Sequence, residues 1–227
     1  MPPQPRSCLL MSGGRLREPI RFLVFSASLR EGSLNAELAR LAAVTIEANQ
    51  GEVDLRSMSD FDALSYNLDV QNEEGFPPGA EEFRRCLEAA NGFVVASPEY
   101  NASMPGVLKN SIDWVSRFSP QPFNERAGLL MSASPSMSGG NRGLWALRMP
   151  LEHLGARLYP DMFSLAQAHQ AFDSEGRLVD PELQQRFDTN VVNFMDQVEA
   201  STHYPCVKQA WVEYLGERAD PAIDRVE

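Results

Sequence analysis

The sequence predicts an α/β protein in which a parallel sheet is covered by helices on both faces. Three observations predict it. Short apolar runs bounded by small polar residues alternate along the chain with stretches of helical period. Three of those runs, "FLVF" from Phe22, "FVVA" from Phe93 and "GLLM" from Gly128, are apolar throughout rather than at every second residue, as strands buried on both faces are. The 227 residues, 43% hydrophobic and 22% charged, are enough for one compact domain and too few for two ordinary ones.

Residues 1–18 hold three prolines and two adjacent glycines without periodicity, and are expected to be a mobile extension ahead of a domain spanning 19–200. "IRFLVFSAS" from Ile20 is the first strand, and Asn35–Asn49 is a helix with Gly51 as its stop. "EVDLRS" from Glu52 is the second strand, Ala80–Ala90 a helix, and "GFVVAS" from Gly92 the third strand. Pro105–Phe118 reads as a helix with proline in its first turn, "AGLLMSAS" from Ala127 as the fourth strand, and Arg142–Leu154 as a helix. "ARLYP" from Ala156 is the fifth strand, and Pro181–Ala200 the closing helix. The acidic stretch 201–227 is a tail in which Trp211, Tyr214 and Leu215 could dock.

Composition removes several functions. A net charge of −11, from 20 basic and 31 acidic residues, lacks the attraction to phosphate that general nucleic-acid binding needs. No apolar run approaches the roughly 18 residues of a membrane-spanning helix, so no membrane partner is expected. Cys8, Cys86 and Cys206 are odd in number and far apart, fitting neither a disulfide framework nor a zinc site, and a reducing cytoplasm suits them. His153, His169 and His203 have no helical partner at metal-ligating spacing, and no "GxSxG" elbow is present. Cys86, on an amphipathic helix, reads as a small core residue, and Trp114 likewise belongs to the core.

Ligands of an open parallel sheet bind beyond the carboxyl ends of its strands, which directs attention to the loops after strands one, three and four. "SASLREGSLN", Ser26–Asn35, offers the hydroxyls of Ser28 and Ser33, the amide of Asn35 and the guanidinium of Arg30 ahead of a helix N-terminus. Backbone N–H groups, the helix dipole and a guanidinium together suit a phosphate. "GxxxxGK[ST]" and "GxGxxG" are both absent, which argues for a single phosphate, as in FMN, over a nucleoside triphosphate or a dinucleotide fold. "SPEYNASMPGVLKNSIDW", Ser97–Trp114, puts Pro98 and Tyr100 in a loop able to lie along a flat ring, with backbone donors around Glu99 and Asn101. "SASPSMSGGNRG", Ser132–Gly143, is small enough for close backbone approach; Arg142 and Arg148 lie near enough to meet a second anion, while Met137 and Trp145 read as packing residues.

These motifs resemble the NADPH-dependent FMN reductases, including chromate, azo and quinone reductases, over about Ile20–Ala200. Ser28, Arg30, Ser33 and Asn35 stand at the steps of that family's phosphate loop, with Ala27 where a glycine is usual, and "PEYN" followed by "PGVLKNSIDW" is its most specific signature. The resemblance implies a flavodoxin-like three-layer sandwich with five strands in the order 2-1-3-4-5. It implies FMN as cofactor, held by Ser28, Arg30, Ser33, Leu34 and Asn35 at the phosphate. Pro98, Glu99, Tyr100 and Asn101 with Ser132, Ala133 and Ser134 would line the ring, and Gly139 and Gly140 would shape the nicotinamide side. It further implies an enzyme that takes hydride from NADPH or NADH and passes electrons by a ping-pong scheme to a quinone, azo compound, chromate or free flavin, the flavin carrying the chemistry. A homodimer or homotetramer follows from the same resemblance. The alternative is a flavodoxin-type electron carrier; Arg30 counts against it.

Overall fold

A computed structural model describes residues 19–203; the expectations placed on 1–18 and on 204–227, Cys8, Cys206, Trp211 and Tyr214 among them, fall outside those residues. Among these residues six strands and six α-helices follow in the order β1 (Arg21–Ser26), α1 (Leu34–Ala48), β2 (Glu52–Ser57), α2 (Leu68–Glu74), α3 (Pro78–Ala89), β3 (Gly92–Ala96), α4 (Gly106–Val115), β4 (Ala127–Ala133), α5 (Asn141–His153), β5 (Arg157–Leu158), β6 (Phe163–Leu165) and α6 (Pro181–His203). All strand pairs are parallel and run β2-β1-β3-β4-β5, the flavodoxin-like order, with β6 also pairing β4.

The continuous apolar runs are explained by the layers. Every residue of β3 and β4 is buried, since helices cover both faces. Side chains alternate between two cores: Leu23, Phe25, Phe93, Val95 and Leu130 face α3, α4 and α5, whereas Phe22, Val24, Val94, Leu129 and Met131 face α1 and α6. Trp114 is fully buried in the first of these, its indole N–H donating to Leu64 O at 2.7 Å, and Cys86 is buried there too. No helix among the described residues is long and apolar enough to cross a membrane.

Four expectations need correction. The fifth strand does not run on through Pro160: β5 is two residues long, and the chain rejoins β4 as β6, where Phe163–Leu165 pair with Met131–Ala133. Proline offers no ladder N–H, so the edge strand breaks there. A 3₁₀ turn at Met58–Phe61 plugs the α3-side core with two fully buried side chains, and α2 buries nothing, which is why no periodicity announced it. Pro105 precedes α4 as its N-cap rather than starting it, and α6 continues past Ala200 through His203, into residues expected to be tail.

Candidate functional site

The register brings the predicted loops to one edge. Ser26 at the end of β1 is level with Ala96 on β3, which is level with Met131 on β4, so the chain leaves all three strands side by side. After β1 the connection turns back toward β2, and after β3 it moves outward to β4, which makes this edge the topological switch point where open α/β sheets take their ligands.

The loop after β1 sets hydroxyls, a cation and open backbone donors at a helix start. Ser33 caps α1, its hydroxyl accepting from Asn35 N at 3.2 Å and its carbonyl from Ala36 and Glu37. The Leu34 N–H then stands in the first turn with no intrahelical acceptor, beside the positive end of a 15-residue helix. Arg30 is exposed, its guanidinium donating to Gly32 O at 3.1 Å and its N–H to Ser28 Oγ at 3.3 Å, so the loop arranges its own cation. Beneath it, on the α1 face of β1, the buried Ser26 hydroxyl has no hydrogen-bond partner among the described residues.

Asn35 departs from its expected place at a phosphate. It is 3% exposed, and its amide makes two bonds of 2.9 Å to one residue, donating to Ala133 O and accepting from Ala133 N. Its polar atoms therefore tie the start of α1 to the end of β4, and Asn35 and Ala133 contribute structure to the site rather than an open face.

The loop after β3 is a tight hairpin. Tyr100 and Ser103 exchange two backbone bonds, 2.9 and 3.0 Å, around Asn101 and Ala102, whose φ values of 52° and 59° are the pair a type I′ turn requires. The turn leaves the Asn101 and Ala102 N–H groups outside its own bonds, on exposed residues next to a half-exposed Tyr100 ring. Glu99 points elsewhere. Its carboxylate, 8% exposed, accepts from Arg142 Nε at 2.9 Å and from Gly143 N at 3.2 Å, capping α5, whose own N-cap Gly140 has no side chain to do so. Burial alone would push this carboxyl up, but the Arg142 hydrogen bond, the Gly143 N–H and the Arg142 charge hold it below the usual carboxylate range.

The loop after β4 lies against that hairpin. Gly140 (φ 81°) has no room for a side chain: a Cβ there would fall 1.9 Å from Ser132 Oγ, itself buried and without a hydrogen-bond partner among the described residues. Gly139 (φ 60°) packs on the backbone of Ser164–Ala166, where a Cβ would fall 3.0–3.1 Å from it. This fourth segment was missed in the sequence because β6 was: Ser134 N donates to Leu165 O at 3.0 Å, Ala168 N to Ser134 O at 3.0 Å and Gln167 N to Ser136 O at 3.2 Å. Ser134 also joins a chain of hydroxyls with Ser136 and Ser138.

The second anion site is not formed as expected. Arg142 is paired with Glu99, while the largely buried Arg148 pairs with Glu152 and donates to Tyr159 O at 3.1 Å. Met137 and Trp145, read as packing residues, are instead 77% and 60% exposed, and Met149, one turn beyond Trp145, is 75% exposed.

Against known proteins, residues 20–170 match the model of the NADPH-dependent FMN reductase family. A probable NADPH:quinone oxidoreductase of Oryza sativa subsp. japonica is 37% identical over 178 residues, covering 77% of this chain and 87% of the relative. An NAD(P)H-dependent FMN reductase of Pseudomonas aeruginosa is 37% identical over 166 residues, 73% of this chain and 88% of the relative. Among solved structures, the flavoenzyme NAD(P)H:(acceptor) oxidoreductase FerB from Paracoccus denitrificans superposes with a TM-score of 0.68 at 24% identity, covering 79% of this chain and 97% of its own, a likeness of fold.

Proposed function

This chain belongs to the NADPH-dependent FMN reductase family, and from that premise we propose that it is an FMN-dependent oxidoreductase carrying electrons from NAD(P)H to a quinone-type acceptor. The observation that carries the reading is the meeting, at one sheet edge, of an anion cradle built on α1 with a hairpin that leaves its Asn101 and Ala102 N–H groups outside its own bonds. Bound FMN would supply the redox chemistry, accepting two electrons from the nicotinamide and giving them to the acceptor.

The chain's own residues bind and orient. Ser28, Arg30, Ser33 and the Leu34 N–H hold the phosphate, combining charge, hydroxyls and a helix terminus. Pro98, Tyr100 and Asn101 border the ring on one side, and the Asn101 and Ala102 N–H groups, outside the hairpin's own bonds, meet the negative charge that reduction places on it. Ser132 and Ser134 form the floor, with Ala133 held behind them by Asn35, and Gly139 and Gly140 shape the nicotinamide side by letting their loop pack onto Ser132 and the Ser164–Ala166 backbone. Donor and acceptor use the same open edge in turn, which is a ping-pong order, and azo compounds, chromate and free flavin are further acceptors such an edge admits. The carrier reading is set aside because both curated relatives described above are named as oxidoreductases or reductases.

A homodimer or homotetramer in the cytoplasm belongs to the same reading: Tyr100, Met137, Trp145 and Met149 leave apolar surface exposed beside the site and along α5. The testing experiment compares FMN with riboflavin, which lacks the phosphate, by fluorescence titration of the flavin-free protein. FMN binding at least about 100-fold tighter is expected from two charge-assisted bonds; equal affinities would remove the phosphate site and the reading with it.

A further inference from the structure

The hairpin after β3 holds two non-glycine residues, Asn101 and Ala102, in the left-handed region, and Ala102 has no polar side chain with which to stabilise that conformation locally. Such geometry persists only where the surroundings enforce it. At its base the enforcing group is Glu99. Its carboxylate is almost fully buried and reaches across to the first turn of α5, one oxygen on Arg142 Nε and the other on Gly143 N. Backbone contact accompanies these bonds: a Cβ on Gly143 would lie 3.1 Å from Ser103 O and from Glu99 Cβ. Hairpin and helix start therefore touch directly, and Gly139–Gly140 sit at the same helix start.

We propose that Glu99 is a positioning residue: its carboxylate tether fixes the hairpin, and with it the Asn101 and Ala102 N–H donors, against the start of α5. The role rests on the reading that this hairpin borders the flavin ring. Glu99 touches neither donor nor acceptor; it sets where the N–H groups point. Two consequences follow. Loss of the tether weakens the donors' hold on the reduced ring and moves the flavin midpoint potential to more negative values. Among the described residues no hydrogen bond links Glu99 to the loop and helix start that form the phosphate cradle, so affinity for FMN through its phosphate is preserved.

The test uses full-length protein loaded with FMN as wild type, Glu99→Ala, Glu99→Gln, Glu99→Asp and Arg142→Ala. Midpoint potential, FMN dissociation constant and NADPH kinetics are measured for each. Glu99→Ala is expected to shift the potential negative and to lower kcat/KM for NADPH about tenfold or more, with the FMN dissociation constant within about threefold. Glu99→Gln keeps an acceptor for the Gly143 N–H and recovers most of both losses. Arg142→Ala, which leaves the Gly143 bond in place, changes the potential less than Glu99→Ala does.

Should Glu99→Ala fail to fold, Glu99→Asp, one methylene too short to reach both donors, shifts the potential in the same direction. A wild-type potential and kcat/KM in Glu99→Ala or Glu99→Asp with only a lower melting temperature would reduce Glu99 to a helix cap and overturn the proposal. An Arg142→Ala enzyme matching Glu99→Ala in every readout would overturn it too, by moving the role to the guanidinium. Failure of the wild type itself to retain FMN or oxidise NADPH would instead overturn the reading of the site, and is seen before any variant is made.

Discussion

Asn35→Ala removes a tether between the start of α1 and the end of β4. Asn35 and Ala133 are each 3% exposed, and the amide makes two bonds of 2.9 Å to the Ala133 N–H and C=O. Truncation leaves a buried donor and a buried acceptor unpaired, at about 1–3 kcal/mol each, so a loss of about 2–6 kcal/mol is expected. The loss belongs to the fold and must be present without cofactor. Guanidinium denaturation of flavin-free protein measures it, and FMN titration of the same samples measures the consequence for binding. Asn35→Asp retains the acceptor for Ala133 N but sets a carboxylate oxygen against Ala133 O, so it should also destabilise the flavin-free protein. A flavin-free Asn35→Ala protein within about 0.5 kcal/mol of wild type, with weakened FMN binding, would refute the tether and make Asn35 a direct ligand.

Gly140→Ala places a Cβ 1.9 Å from Ser132 Oγ at a φ of 81° and should cost about 2–5 kcal/mol; adding Ser132→Gly should recover the steric part and leave about 1–2 kcal/mol of backbone strain, read as melting temperatures. Arg30→Ala should weaken FMN binding by about 10–100-fold while leaving the flavin-free melting temperature unchanged, since the exposed guanidinium bonds only within its own loop. The hydrogen bond from Arg85, with the charges of Arg85 and Arg56, holds the Glu82 carboxyl at about 2, well below its ordinary value of 4.5. A depressed carboxyl stabilises the fold fully above its unfolded value and loses that contribution as pH falls through the folded one. The melting temperature should therefore fall between pH of about 4.5 and 2, and fall less in Glu82→Gln; equal slopes in the two proteins would contradict the assignment.

Much of this architecture is legible in the sequence because burial on both faces leaves a plain mark. "FVVA" and "GLLM" are apolar at every position and lie in β3 and β4, whose residues are all buried. The helical period read over Asn35–Asn49 falls within one residue of α1 at each end, and the loops after β1, β3 and β4 meet at one edge because the parallel register makes them. What stayed hidden was short or depended on contacts distant in sequence. The three residues of β6 carry no period, yet the segment that follows them clamps Ser134 and Gly139.

The side-chain assignments divide along the same line. Residue type made Asn35 a plausible phosphate ligand and Glu99 a ring neighbour, but the partners that claim them, Ala133 and the first turn of α5, lie 98 and 43–44 positions away. Arg142 and Arg148 could be read as free cations only while Glu99 and Glu152 were not yet placed beside them. The exposure of Trp145 and Met149 follows from which face α5 turns inward: Leu144, Leu147 and Leu151 fill the core, so the residues between them look outward.

The central claim is that this edge of the sheet holds FMN and serves NAD(P)H and a quinone in turn. The most direct measurement is the visible flavin absorbance of FMN-loaded, desalted protein under anaerobic conditions, first on addition of NADPH or NADH and then of a benzoquinone. The account predicts flavin that stays with the protein, bleaches promptly with the nicotinamide and regains its colour with the quinone. Retained flavin that does not bleach would contradict it in favour of an electron carrier, and flavin lost on desalting would contradict the resident cofactor itself.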